Sequence, residues 1–453
     1  MTEAHHQNHL QRLVHVLGRA LEPYGSSVGS IQLESWAVLI HECMSGKGRD
    51  FHGVQHVFDV AGDSDDPLFV IAAVFHDTIY YRIDGGLSPR QFELIGPVIV
   101  EQEQGVILRC FDADKDPRLA IVASVFGFSS GQVLPAVGGL NEFLSALLAA
   151  RCLGEALPLA ALAELSACIE ATIPFRGLDA DGSSAAEQLH HRLKRADQDF
   201  ALGLTEQGLA RAVHRAVALA NNDVGNFANE DVAWFLDNTW KLLPESNVAL
   251  RFSAIYRISE FQLALSNMER FFASLDPNVV FCSFRGCPTE TQLAAMTAGA
   301  RRNLSVGRAY LRAKLAALAL LGALAEKTGG DVPLSLFTGD LHARGHAPMR
   351  LEDQLGVAQE FVTGCQPKVY ELLVVGRHSE SSFDLRHSPL SAFLYARLGD
   401  SGIDKALAHA VHPMTFEQAQ PFLDALPEAI VSDIACASAC IATSRADALL
   451  ALV

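Results

Sequence analysis

At 453 residues, 49% hydrophobic and 19% charged, the chain has the composition of a folded globular protein rather than a disordered one, and it is longer than one hydrophobic core usually serves. Its formal net charge of −17 excludes general nucleic-acid binding, because a phosphate backbone is repelled, yet it leaves room for a small phosphorylated substrate in a pocket where a metal centre outweighs diffuse surface charge. Nine cysteines, an odd set with no C-x-x-C pair, fit reduced thiols and not a disulfide framework.

In chain order, the start "MTEAHHQNHL" lacks the basic and apolar regions of a secretory signal, which points to a cytoplasmic protein. Apolar residues then recur at three- and four-residue spacing in "HLQRLVHVLGRAL", "LNEFLSALLAARCL", "LPLAALAELSACIEATI" and "EQGLARAVHRAVALA", and each stretch predicts an amphipathic helix. The joints "GDSDDP", "DADKDP" and "GLDADGSS" read as loops between them. A helical pattern continues from Arg251 to Leu275. Beyond it, "NVVFCSF", "DVPLSLF" and "VYELLVV" are short β-branched or aromatic runs that read as strands or as extended connectors. The longest apolar run, Leu315 to Ala325, is too short to cross a bilayer and reads as a buried helix, so no membrane partner is expected.

The expected fold is mainly α: an all-helical domain over residues 1–275, then a mostly helical C-terminal domain of unassigned role over 276–453 with room for a few short strands. "DVAWFLDNTWKLLPESN" places Trp234, Phe235 and Trp240 at helical spacing, which reads as core. Cys436 and Cys440 share a helical face and read as small core residues. Homodimerisation is expected only as a general tendency of soluble proteins.

Chemistry concentrates in three places. "GRDFHGVQHVFDV" sets His52 and His56 four apart, on one face if the segment is helical. "LFVIAAVFHDTIYY" ends a hydrophobic run on His76 and Asp77, a carboxylate whose burial is expensive unless a cation neutralises it. Imidazole and carboxylate together suit a divalent ion. A further acid is expected at the end of a later helix: Asp223 in "RAVALANNDVGNFA" qualifies, although it also reads as a turn or cap residue, and Asp197 and Asp199 in "LKRADQDFALGL" compete for the role. Arg176 is a candidate phosphate ligand, and Tyr80 and Tyr81 are candidates for stacking on a base.

These residues carry a resemblance. The order H…HD…D, with His56, His76-Asp77 and a distant Asp, resembles the HD superfamily of metal-dependent phosphohydrolases, an all-helical fold. "FHGVQH" is similar to the Y-H-N-x-x-H motif of class I cyclic-nucleotide phosphodiesterases and "NNDVGN" to their A-D-L-S-N motif, over roughly residues 30–245. The resemblance implies one or two divalent ions (Mn, Mg, Fe or Zn) held by His56, His76, Asp77 and Asp223, with Asp77 able to bridge two ions. It also implies that His52 protonates the leaving oxygen while metal-activated water attacks the phosphorus of a nucleotide or related small molecule. His52 favours a phosphodiester over a phosphomonoester. The chain departs from that branch at Phe51, at Gly53 and in "ATIPFRG", which lacks the acid and histidine found there. These departures bear on cyclic-nucleotide specificity more than on the hydrolytic metal site.

Two other readings compete. One is a non-catalytic nucleotide-binding sensor or scaffold on the same kind of domain. The other is a di-iron oxygenase, for which His190, His191 and His214 would have to supply ligands. In the C-terminal part, His342, Arg344, His346, Arg377, His378 and His387 lie among polar residues without a recognisable ligand spacing and read as loop residues.

Overall fold

The computed structural model describes residues 8–25, 28–46, 48–252, 255–339, 349–355 and 362–453. His342, Arg344 and His346 lie outside the described residues. The protein is mainly α-helical. Four of the periodic stretches form the helices His9–Leu21, Leu140–Leu153, Leu159–Ala171 and Glu206–Asp223. The polar joints work as starts: Asp66, Asp116 and Ser184 each accept backbone N–H bonds in the first turn of Pro67–Phe75, Pro117–Phe126 and Ala185–Phe200. Proline stands at the beginning of the first two, where its fixed φ suits the helix and no N–H is missed.

The chain divides into two compact units, Met1–Ala228 with Asp276–Ala298, and Asn229–Leu275 with Gly299–Val453. The single boundary expected at residue 275 is therefore one of three crossings. The return of 276–298 to the first unit has a local cause: Phe284 is buried in that unit's core, and Asn221 exchanges hydrogen bonds with the Cys282 backbone.

In the first unit Leu159–Ala171 is the central helix, packed by Pro67–Phe75, Pro117–Phe126, Leu140–Leu153, Ala185–Phe200 and Glu206–Asp223. Its Leu, Ile and Ala side chains are almost all withdrawn from water. One element departs from the all-helical expectation. Ile99–Gln102 pairs antiparallel with Gly105–Leu108 across a two-residue turn, and Gly105 takes a φ of 125° that favours glycine.

In the second unit the apolar run Leu315 to Ala325 lies in the buried part of Glu290–Lys327, a helix that starts in the 276–298 segment. Gly307 on this helix lets another helix pass close by, because a Cβ there would come within 2.9 Å of the Phe272 ring. The three short runs that read as strands or as extended connectors form no named strand among the described residues. "VYELLVV" belongs to the helix Pro367–Val374, with Val369, Leu372 and Leu373 on its buried face. "DVPLSLF" makes one isolated bridge at Pro333 and then the short helix Ser335–Thr338; "NVVFCSF" opens on the 3-10 turn Pro277–Val279. Phe235 and Trp240 are core, as their spacing predicted, but Trp234 is 42% exposed on the opposite face of the same helix. Cys436 and Cys440 are exposed, which corrects their reading as core. No described helix is long and apolar enough to cross a membrane.

Candidate metal centre

Three segments of the first unit converge on one point. The helix Val54–Ala61 carries His56. His52 precedes that helix instead of sharing a face of it, yet its ring lies 5.9 Å from that of His56, edge-on. The second segment is the end of Pro67–Phe75, where the turn continues through His76. The His76 Nδ1–H donates to the Ala73 carbonyl at 2.8 Å, so Nε2 presents its lone pair to the cluster whenever the imidazole is neutral. The third is the last residue of Glu206–Asp223. Its two preceding asparagines fix it: the Asn221 amide exchanges hydrogen bonds with the backbone of Cys282, and the Asn222 amide donates to the Val60 carbonyl.

His56, His76, Asp77 and Asp223 each bring one ligand atom to within 4.8 Å of the others. His56 Nε2 is 2.9 Å from Asp223 Oδ1 and 3.4 Å from Asp77 Oδ2; His76 Nε2 is 3.3 Å and 3.1 Å from the same atoms. Twice a typical zinc–nitrogen or zinc–oxygen bond is about 4.2 Å, so the spread is on the scale of one ion's ligand shell. Two imidazoles and two carboxylates also form a donor set for a divalent transition metal or manganese. The residues present therefore fit such an ion.

Electrostatics hold the cluster together without one. Burial alone would strip the proton from His56, but the Asp223 and Asp77 carboxylates outweigh it and raise the imidazole to about 9. His76 moves upward against burial for the same reason, with Asp77 the strongest contributor. Burial would likewise protonate Asp77 and Asp223, but the neighbouring imidazoles, His76 first, keep both below the usual carboxylate range. Each charged form is thus stabilised by its opposite, as buried ions require.

No known family model, curated protein or solved structure matches the chain. Tyr80 is placed beside His52, ring centroids 4.4 Å apart and tilted by 30°. Arg176 is engaged elsewhere: it donates to Glu170 Oε1 at 2.6 Å, and Arg192 binds the same carboxylate. Asp197 accepts the Leu204 N–H at 2.7 Å and so ties down the loop after its own helix, and Asp199 is exposed; neither joins the cluster. His214 bonds the Phe284 carbonyl. His190 and His191 group with Glu187 instead, and there Arg285 lies 3.5 Å from both Glu187 and His190, a cation opposed to metal binding. The extra histidine ligands of the di-iron reading are thus absent from the centre.

Two residues at the site were not singled out from the sequence. Arg49, buried, donates to the Asp77 carbonyl at 2.5 Å and forks onto Asp84, which in turn accepts the Tyr80 N–H; the loop carrying Asp77 is clamped at both ends. Glu142, in the first turn of Leu140–Leu153, is pushed up to about 7 by burial and then by the Asp77 and Asp223 carboxylates. A basic residue in a glycine-flanked loop and an acid in a helix's first turn are ordinary in sequence, so neither carried a signal.

Proposed function

We propose that this chain is a metal-dependent phosphohydrolase of the HD type, cleaving a phosphoester of a nucleotide or related small molecule, a diester in preference to a monoester. The observation that carries the reading is the convergence of His56, His76, Asp77 and Asp223 from three separate segments onto one buried point. Two histidines and two acids gathered there without a ligand to hold are an expensive use of buried charge.

A divalent ion held by these residues would supply a Lewis acid and a more acidic water. The chain's own groups then have distinct parts. His76 keeps its Nε2 aimed inward through the Ala73 carbonyl, and Arg49 fixes the backbone of Asp77. His52 lies outside the ligand set, one ring away from His56, where an imidazole can hand a proton to a leaving oxygen. Glu142, near 7, is suited to exchange a proton with solvent or substrate at neutral pH. Tyr80, tilted beside His52, offers a ring for a base.

The test is elemental analysis of the purified protein together with hydrolysis of bis-p-nitrophenyl phosphate, p-nitrophenyl phosphate and a nucleotide panel in added manganese. We expect metal near stoichiometry and metal-dependent hydrolysis, faster on the diester. Metal with tight nucleotide binding and no turnover would replace this reading by the sensor, and a protein that takes up no metal would remove both.

A further inference from the structure

The second unit contains a cavity of about 310 Å³ that belongs to no part of the metal centre. That is room for about ten water-sized volumes, at the small end of ligand pockets. Most of its wall is apolar and includes Phe261, Leu318, Leu321, Leu334, Leu351 and Leu390. Lys314, Asp384 and Glu352 bring charge to that wall, and Ser335 and Ser391 bring hydroxyls.

The charges at this wall are matched. Lys314 is buried, and its ammonium donates to Asp384 Oδ2 at 2.9 Å and to Ser388 Oγ at 2.8 Å. The rings of Trp240, Phe261 and Tyr310 surround the same ammonium, their centroids 5.3, 5.8 and 5.9 Å away. Arg377, also buried, donates to Asp384 Oδ2 at 3.0 Å, stands 3.9 Å from Asp237 Oδ1 and lies over the Trp240 ring. Glu352 has Arg350 Nη1 3.8 Å away. Lys314, Arg377 and Arg350 thus face Asp384, Asp237 and Glu352, charge for charge. An ionic ligand would add a net charge to this balanced set and give up its own hydration. What stays unmatched is neutral. Ser391 is only 5% exposed, and its hydroxyl has no hydrogen-bond partner among the described residues; the Ser335 hydroxyl has none either.

We propose that this cavity binds a neutral, largely apolar molecule carrying one hydroxyl, of the class of a medium-chain alcohol, its hydrocarbon body against the leucines and its hydroxyl at Ser391. Hydrocarbon buried against the wall supplies the affinity. The balance of charge sets the choice of head group. A hydroxyl both donates and accepts, so it satisfies the serine and leaves the ion pairs undisturbed. A carboxylate meets Asp384 and Glu352 as like charges, and an ammonium meets Lys314 as one, with each opposite charge already engaged.

Isothermal titration calorimetry on the full chain tests this with three probes of equal chain length: octan-1-ol, octanoate and octylammonium. We expect one octan-1-ol per chain, bound at least about tenfold more tightly than either ion. Ser391→Ala should weaken octan-1-ol by about three- to tenfold, the loss of one hydrogen bond, and Leu321→Trp, which fills the cavity, should abolish uptake. Circular dichroism identifies a variant that fails to fold, and the head-group series on the native chain decides the matter without any variant. No octan-1-ol binding to the native chain, an ion bound as tightly as the alcohol, or undiminished uptake by folded Leu321→Trp would each overturn the proposal. Unchanged affinity in folded Ser391→Ala would overturn the placement of the hydroxyl.

Discussion

On the proposed function, protons and a divalent ion would compete for the same nitrogens of His56 and His76, and that competition would give the cluster a pH signature. His56, ordinarily near 6.5, is held protonated to about 9 by Asp223 and Asp77 against the opposing effect of burial. Its folded value is raised, so the stability it contributes to the metal-free protein is complete below about 6.5 and is lost as pH rises through about 9. Asp77 and Asp223 are depressed, so their share is present above about 3.8 and lost on acidification. A metal must displace the imidazole protons; affinity should therefore rise with pH up to about 9, and binding at pH 7 should release protons. Calorimetry of manganese binding in two buffers of different ionisation enthalpy measures that release, and none would mean the ion does not sit on these imidazoles. Glu142 has the opposite consequence: raised from 4.5 to about 7, it costs stability as pH rises through that range. Glu142→Gln should make the metal-free protein more stable above pH 7, by on the order of 2 kcal/mol after allowing for its partial exposure, as urea unfolding at pH 5 and pH 8 would read. On the proposed function, His56→Ala and Asp77→Ala should lose bound metal and turnover together. His52→Ala should keep the metal and lower kcat by about 10²- to 10⁴-fold; an unchanged kcat would remove His52 from the chemistry.

At the scale of elements, periodicity and punctuation make several helices of the first unit legible. "LNEFLSALLAARCL" is Leu140–Leu153, and the acidic joints before Pro67 and Pro117 are caps. Short pieces were ambiguous because four to seven apolar residues fit a strand and two turns of helix equally well. "VYELLVV" reads as a strand or an extended connector, yet Pro at the helix start and the three-residue step from Val369 to Leu372 make it helical. The strand pair at 99–108 hid in "IVEQEQGVIL", where each strand is only four residues long. His52 and His56 show the same limit: the four-residue spacing suggested one helical face, whereas Val54 is where the helix begins and a turn brings the rings together. The cap on the helix that delivers His76 can be tested directly. Asp66 accepts from the Leu68 and Phe69 N–H groups and pairs with Arg215 Nε at 2.7 Å. Asp66→Ala removes both roles and should cost about 1–2 kcal/mol in urea unfolding. Asp66→Asn keeps an oxygen at the cap, loses only the charge, and should cost about 0.5 kcal/mol; equal losses would assign the stabilisation to the ion pair instead.

At the scale of the whole molecule, the harder inference is which distant segments complete which unit. Asp223 was only one candidate among three acids, because helix-end position and local cap chemistry say nothing about which way a carboxylate faces. What settles its direction is the pair of asparagines before it, and one of their partners lies in the returning segment 276–298. No local pattern announces that return. Phe284 in that segment is buried between the rings of His190 and His214, each with its centroid 5.4 Å away, and Asn221 holds both the N–H and the carbonyl of Cys282. The segment therefore acts on the centre by fixing the last turn of Glu206–Asp223, and two substitutions separate that role from simple packing. Phe284→Ala opens a cavity in the core and should cost about 3–5 kcal/mol, seen as a lower urea midpoint, with little change in metal affinity while the protein stays folded. Asn221→Ala leaves the core filled but frees the helix end two residues from the carboxylate. It should cost only about 1–3 kcal/mol for two lost hydrogen bonds, while weakening manganese binding by about 10- to 100-fold, as loss of an outer-shell partner does. If Asn221→Ala bound manganese as the native chain does, the returning segment would be a packing element of the first unit, and the orientation of Asp223 would rest on Asn222 and the helix alone.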